Sequence, residues 1–405
     1  MIQVRKMLWA AVILAGVAGP ARAEDLRLKP LVDLRLRHET VEQDDLPERA
    51  EALTLRMRAG LAATRGRVGG LVEAQATLRA AGAYNDGLHG PATRPLIADP
   101  ENIALYRAEL QYRVDGLALT AGRQRIALGD ERFVGGVGFR QNGQTFDAVR
   151  VEWQATPRLK ADMSYAWGVR TIWGIEGRGL RQQAIGGDNV FANLGYVTPV
   201  GTVTGFAYLV DQDEAAVQNF RLSSQSYGIG MAGSAPLSKA TRFSYRASYA
   251  RQFDWGRNPA DYAASYYLGE GGLEWGALKV GGGLEVLGAD RGAPLTSFQT
   301  PLATLFKFQG WVDKFLATPP DGVRDFYASA GVGMKRLGPA SGATIGLAYH
   351  RFESDRLDRH YGDEFDVLAS GKLGRTTVSA RYAQYRAEAL GADTRKFWLQ
   401  LDWQL

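Results

Sequence analysis

The stretch Leu26 to Arg37, LRLKPLVDLRLR, reads with a period of two. Leu26, Leu28, Pro30, Val32, Leu34 and Leu36 share one parity, and Arg27, Lys29, Asp33, Arg35 and Arg37 share the other. Strict alternation of this kind puts apolar side chains on one face of an extended strand and polar ones on the opposite face. The rule recurs downstream. Leu53, Leu55, Met57, Ala59 and Leu61 alternate with Thr54, Arg56 and Arg58. Val72, Ala74, Ala76 and Leu78 alternate with Glu73, Gln75, Thr77 and Arg79, and Tyr106, Ala108, Leu110 and Tyr112 with Arg107, Glu109, Gln111 and Arg113.

A soluble sandwich also alternates, but two features favour a membrane barrel. These strands run about ten residues or more, the length a tilted membrane strand needs, against about five or six in soluble sheets. The connections also switch regularly between short and long. Tight turns are expected near Arg65-Gly66, Asp115-Gly116, Thr156-Pro157, Pro199 to Gly201, Pro236 to Lys239, Trp275-Gly276, Leu337 to Gly342 and Gly374, with long loops between them. The pattern predicts an all-β, transmembrane antiparallel barrel of about 18 strands, the even count that single-chain bacterial barrels show. The terminal strand fits, with Phe397, Leu399, Leu401, Trp403 and Leu405 on one face, suited to closing against the first strand. Aromatic residues near strand ends, among them Tyr112, Trp153, Tyr165, Trp167, Tyr208, Trp275 and Trp403, are expected to form interfacial girdles.

The N-terminus carries the compartment signal. Arg5 and Lys6 precede the apolar run Met7 to Val17, and Ala21-Arg22-Ala23 is a small-x-small cleavage site. Residues 1–23 read as a signal peptide, too short in its apolar run to span a membrane, and 24–405 as the barrel. The whole chain carries 48 Lys and Arg against 43 Asp and Glu, a net +5, and loss of Arg5, Lys6 and Arg22 leaves +2. That balance gives no support to nucleic-acid binding. The absence of cysteine excludes disulfides and thiol catalysis. The four histidines, His38, His89, His350 and His360, sit in no nucleophile motif, so no enzyme and no cofactor or metal is expected. The expected partners are outer-membrane lipid and lipopolysaccharide, the barrel-assembly machinery and a solute, with the chain a monomer in the cell outer membrane.

About eighteen strands enclose an aqueous channel, whose wall is the polar parity. Candidate pore-lining residues are Arg35, Arg37, Arg56, Arg58, Arg107 and Arg113, followed by Arg123, Arg125 and Arg150, with Glu109 and Glu152 interspersed. Such a wall is either a mutually neutralising ladder or an anion-attracting lining, since arginine rings select anions and its fork grips carboxylates. The parity of Leu117 to Leu128 leaves Arg123 and Arg125 to be placed by a bulge or above the membrane. In the loop from Ala289 to Arg324, Thr300-Pro301 reads as a helix start, and Leu302, Leu305, Phe306, Val312, Phe315 and Leu316 recur at helical spacing. A helix in this extracellular loop is expected, gating the pore or capping its rim, with Phe298, Thr300, Pro301, Trp311 and Phe315 as gating residues.

Gly122 to Val151, GRQRIALGDERFVGGVGFRQNGQTFDAVRV, and Ser297 to Leu316, SFQTPLATLFKFQGWVDKFL, resemble recurring segments of the alginate-export family of outer-membrane proteins. The resemblance implies an eighteen-stranded barrel that conducts a polyuronate chain through an electropositive pore. The alternative is a general or small-anion porin without preference for polysaccharide.

Overall fold

A computed structural model describes residues 25–405, so the expected signal peptide lies outside the described residues. Eighteen strands follow one another: β1 (Arg27–Gln43), β2 (Ala50–Arg65), β3 (Val68–Ala83), β4 (Asn102–Val114), β5 (Leu117–Gln124) and β6 (Thr145–Gln154). Then come β7 (Leu159–Arg170), β8 (Ala184–Thr198), β9 (Gly201–Val210), β10 (Ser224–Pro236), β11 (Thr241–Asp254) and β12 (Ala263–Trp275). The last six are β13 (Leu278–Leu287), β14 (Val323–Leu337), β15 (Ala340–Glu353), β16 (His360–Leu373), β17 (Thr376–Ala387) and β18 (Thr394–Gln404). Each strand pairs antiparallel with the next, and β1 pairs with β18 from Asp33 opposite Gln404 to Gln43 opposite Thr394. The sheet therefore closes on itself and leaves no unpaired edge, which is the condition for backbone to cross hydrocarbon.

One end of the barrel carries the eight tight turns the sequence marks. Gly66 at φ 59° and Gly116 at φ 73° supply the left-handed positions that two-residue hairpin turns require. The other end carries nine longer connections, of which residues 84–101, 125–144 and 288–322 are the longest. Alternation holds along the strands. Arg37 is 0% exposed, whereas its neighbour Leu36 is 37% exposed. The exposed parity is an apolar band bearing Trp153, Tyr165, Trp167, Tyr196, Tyr249 and Trp275. Tyr208 does not join that girdle. It points inward, is 6% exposed, and packs beside Phe206 and Phe191.

The loop at 288–322 departs from expectation because it holds no helix. Among the described residues the one helical stretch is a three-residue 3-10 turn, Gln218–Phe220. The cause is tertiary. Leu305, Phe306, Gln309 and Asp313 all have positive φ, which breaks a right-handed helix. Their segment hydrogen-bonds outward instead: Val312 N donates to Glu364 at 2.8 Å and Thr304 N to the Glu131 carbonyl at 3.0 Å. Thr300 is not a cap; its hydroxyl accepts from Arg132 at 3.1 Å. The apolar residues at helical spacing serve two separate clusters, Leu302 in one and Phe306, Val312 and Phe315 in the other.

Candidate channel lumen

Two loops of the long-loop end fold inward and meet. Residues 125–144 join β5 to β6, and residues 288–322 join β13 to β14. Val134 and Leu302 form a parallel bridge between them, reinforced by Gly135 N donating to the Leu302 carbonyl at 2.8 Å. Gln144 Nε2 donates to that same carbonyl at 3.1 Å. The first loop also reaches the neighbouring wall of β1 to β3. The Phe139 and Gly138 carbonyls accept from Arg35 on β1, each at 3.0 Å, and Arg37 donates to Phe139 as well. Asn142 accepts from Thr77 on β3 at 2.7 Å, and Gln141 donates to Thr54 on β2 at 2.8 Å.

Apolar anchors hold the remaining sectors. Phe133 is ringed by Phe206, Tyr208, Tyr266 and Phe298, with centroids 5.0 to 5.9 Å away. Phe139 stacks on Phe306, and both meet the buried Trp398 edge-on. Of the expected gating residues, Phe298 and Phe315 are buried anchors of this kind, Phe315 lying 4.5 Å from Phe352. Trp311 lies beside Phe306, with centroids 5.9 Å apart, and Pro301 lines the cavity above the crossing.

Buried ion pairs tie these parts together. Arg132 reaches Glu285 on β13 at 2.6 Å, and Tyr266 donates to the same carboxylate at 2.7 Å. Arg140 bridges Asp313 at 2.9 Å and Glu39 at 3.4 Å. Burial disfavours the Arg140 cation, yet Glu39 and Asp313 outweigh it and hold the guanidinium above its ordinary range. Neither Arg132 nor Arg140 stood out in the sequence. The dense polar run Arg140-Gln141-Asn142-Gly143-Gln144 was the available signal, since a polar run that crosses a lumen must find partners on the wall.

Most of the arginines chosen by strand parity do lie on the enclosed face, and most are neutralised there. Arg35 Nε lies 2.7 Å from Asp402, Arg107 Nε 2.7 Å from Glu73, and Arg150 Nε 2.9 Å from Asp162. Arg56 pairs with Asp33. Arg37 is held by Gln400 at 2.9 Å and lies 3.4 Å from Asp99, and Arg58 donates to Gln75 at 2.7 Å while lying 3.9 Å above the Tyr106 ring. Glu109 shares the enclosed face, and Glu152 sits 3.2 Å from Arg150 near the turn end. Arg113 is exposed at that same end.

Two assignments change. Arg123 lies opposite Ala108 and Asp147, on the outward parity of Leu119 and Ala121. It grips Asp147 at 2.7 Å and caps the Leu105 carbonyl at 3.2 Å, where β5 has already ended and β4 has lost its neighbour. Arg170 joins the same carboxylate at 3.0 Å. No bulge in β5 turns Arg123 inward, so it staples the wall rather than lining the lumen. Arg125 lies past the end of β5, exposed, in the inserted loop.

Above the crossing, on the long-loop side, lies a cavity of about 460 Å³. Val137, Leu302, Leu305 and Ile185 give it an apolar wall, while Lys314 and Lys396 supply charge. Burial, and after it the neighbouring Lys396, push the Lys314 ammonium down to about 8.

This geometry has counterparts among solved structures. OccAB4 of Acinetobacter baumannii superposes with a TM-score of 0.71 over 96% of this chain and 100% of that one, at 12% identity. The fold is that of an outer-membrane porin. OccD3 (OpdP) of Pseudomonas aeruginosa gives 0.69 over 96% and 94% at 14% identity, and the outer membrane protein opdK of the same organism 0.69 over 93% and 98% at 14%. No protein-family model matches the sequence, and no curated protein sequence matches it. These neighbours are Occ and Opd proteins, so the likeness to alginate exporters read from two segments is not supported at the level of family. What stands is the porin barrel with loops folded into its lumen.

Proposed function

We propose that this chain is an outer-membrane channel for small anionic solutes, with its short turns in the periplasm and its long loops outside. One observation carries the reading: a closed eighteen-stranded wall with arginine on its enclosed face, narrowed by two loops that meet at Val134 and Leu302. The neighbouring Occ and Opd folds accord with it. In this reading residues 1–23 are removed on export, and the barrel is inserted by the assembly machinery as a monomer among lipid and lipopolysaccharide. Passage of an alginate-like polyuronate is the second reading. The arginine-bearing wall favours it, while loops anchored across the lumen favour short solutes over a continuous polymer.

Reconstitution into planar bilayers tests both. The protein should conduct, and deletion of residues 300–318 should raise single-channel conductance. Absence of conductance in both forms refutes the channel. Current block by uronate oligomers, compared with neutral sugars of equal length, decides between the two solutes.

A further inference from the structure

The wall arginines are an incomplete account of charge in this barrel, because carboxylates and amides already hold them. Unpaired charge gathers elsewhere, at the rim of the turn end. Arg27 and Lys29 enter β1 on the enclosed parity, opposite Thr64 and Ala62 of β2. Arg113 on β4, Lys160 on β7, Arg242 on β11 and Lys372 on β16 sit at the same level on the same parity, so the six are spread around the perimeter. All six are exposed. Among the described residues none has a carboxylate oxygen within 4 Å; the ion pairs nearest this end are Lys279 with Glu274 at 2.6 Å, opposite Arg242, and Arg150 with Glu152 at 3.2 Å. The long-loop end is built differently. There many bases are matched, as in Arg94 with Glu48, Arg356 with Asp321 at 3.1 Å, and His89 with Glu176 at 3.1 Å. Those without a carboxylate within 4 Å among the described residues, such as Arg178 and Arg359, lie on separate loops.

We propose that this open ring of Lys and Arg at the turn-end mouth, and not the paired arginines of the lumen, sets the charge selectivity of the channel. The inference rests on the channel reading given above. Paired charges cancel within a few ångströms, whereas a ring of like charges around a mouth sums into a potential that concentrates counter-ions there. The ring is also one-sided. Anions are enriched at the turn end before they enter, so selectivity depends on which chamber holds the dilute salt. Screening follows, since the field reaches about 10 Å at 0.1 M salt and about 3 Å at 1 M.

The test is the reversal potential of the full-length barrel across a KCl gradient, with insertion fixed by which chamber's protease cuts the long loops. With 0.1 M salt at the turn end and 1 M at the loop end, chloride-over-potassium permeability should exceed that of the reverse gradient. Combined Lys29→Gln, Arg113→Gln, Lys160→Gln and Lys372→Gln should lower the first ratio by about two- to threefold and leave the second nearly unchanged. Lys29→Arg, Lys160→Arg and Lys372→Arg should preserve both. Equal ratios in the two gradients overturn the proposal from the wild-type protein alone, whether or not the Gln variant assembles. An unaltered ratio in a folded Gln variant overturns it as well. A barrel that conducts nothing refutes the channel reading instead.

Discussion

Arg140 from the first inserted loop holds Asp313 from the second at 2.9 Å, and both side chains are buried. The contact makes one crossing of two separate loops. Removing one member of a buried pair typically costs about 3–5 kcal/mol, because the other charge is left stranded. Arg140→Met should therefore loosen both loops, strand Asp313 and Glu39, and raise single-channel conductance and open-state noise. Asp313→Asn should do the same more mildly, and the double variant should cost less than the sum. Conductance traces and a double-mutant thermal series check this; strict additivity would show that the two loops are anchored independently.

In the proposed channel, Lys314 should give a pH dependence at the long-loop side. Its ammonium is held down to about 8, below the ordinary lysine range, first by burial and then by Lys396. The residue is thus largely charged at pH 7 and largely neutral by pH 9. Current carried by an anion entering from the loop side should fall across that window, and Lys314→Met should flatten the fall. A pH profile identical in the two proteins would remove Lys314 from the solute's path.

Arg123 separates the reading by strand parity from the reading by register. As a lumen residue, its loss would reduce anion preference. Facing outward, with Asp147 at 2.7 Å and the Leu105 carbonyl at 3.2 Å, it should leave selectivity untouched in Arg123→Gln. The cost should appear instead as about 1–3 kcal/mol of lost wall stability from the unpaired groups, read as a lower temperature for the shift in gel mobility. A changed reversal potential would place the side chain in the ion pathway.

Phe133 carries the aromatic anchor of the first loop. Phe133→Ala opens a cavity among four rings, a change that typically costs about 3–5 kcal/mol, so the loop should become protease-sensitive at Arg125 and Arg132 while the barrel stays resistant. Intact loops after digestion would show that the hydrogen bonds from β1 to β3 suffice.

The strands were legible because closure demands a period of two along every strand, as in Leu53 to Leu61, and because Gly66 and Gly116 mark turns with only one backbone solution. Arg35, Arg56 and Arg107 fall on the enclosed face of their strands for the same reason. Periodicity failed where the chain left the sheet. Leu302, Phe306 and Phe315 mimic a helical stripe, yet they are split between two separate apolar clusters. Arg123 keeps the outward parity of Leu119 and Ala121, because β5 holds no bulge that would turn it inward. Arg132 and Arg140 find their partners 153 and 173 residues away, at Glu285 and Asp313, a pairing that no local pattern encodes.

The pair Arg35 and Asp402 joins residues 367 apart in the chain, across the junction of β1 and β18. Contacts of such long sequence separation are slow to form, because the intervening chain must be ordered first. The seam is therefore expected to close after the neighbouring hairpins, with the Arg35 and Asp402 pair as its latch. In the proposed channel, substitutions at Arg35 should accordingly act on two clocks, one for ions crossing the finished barrel and one for the cylinder drawing shut.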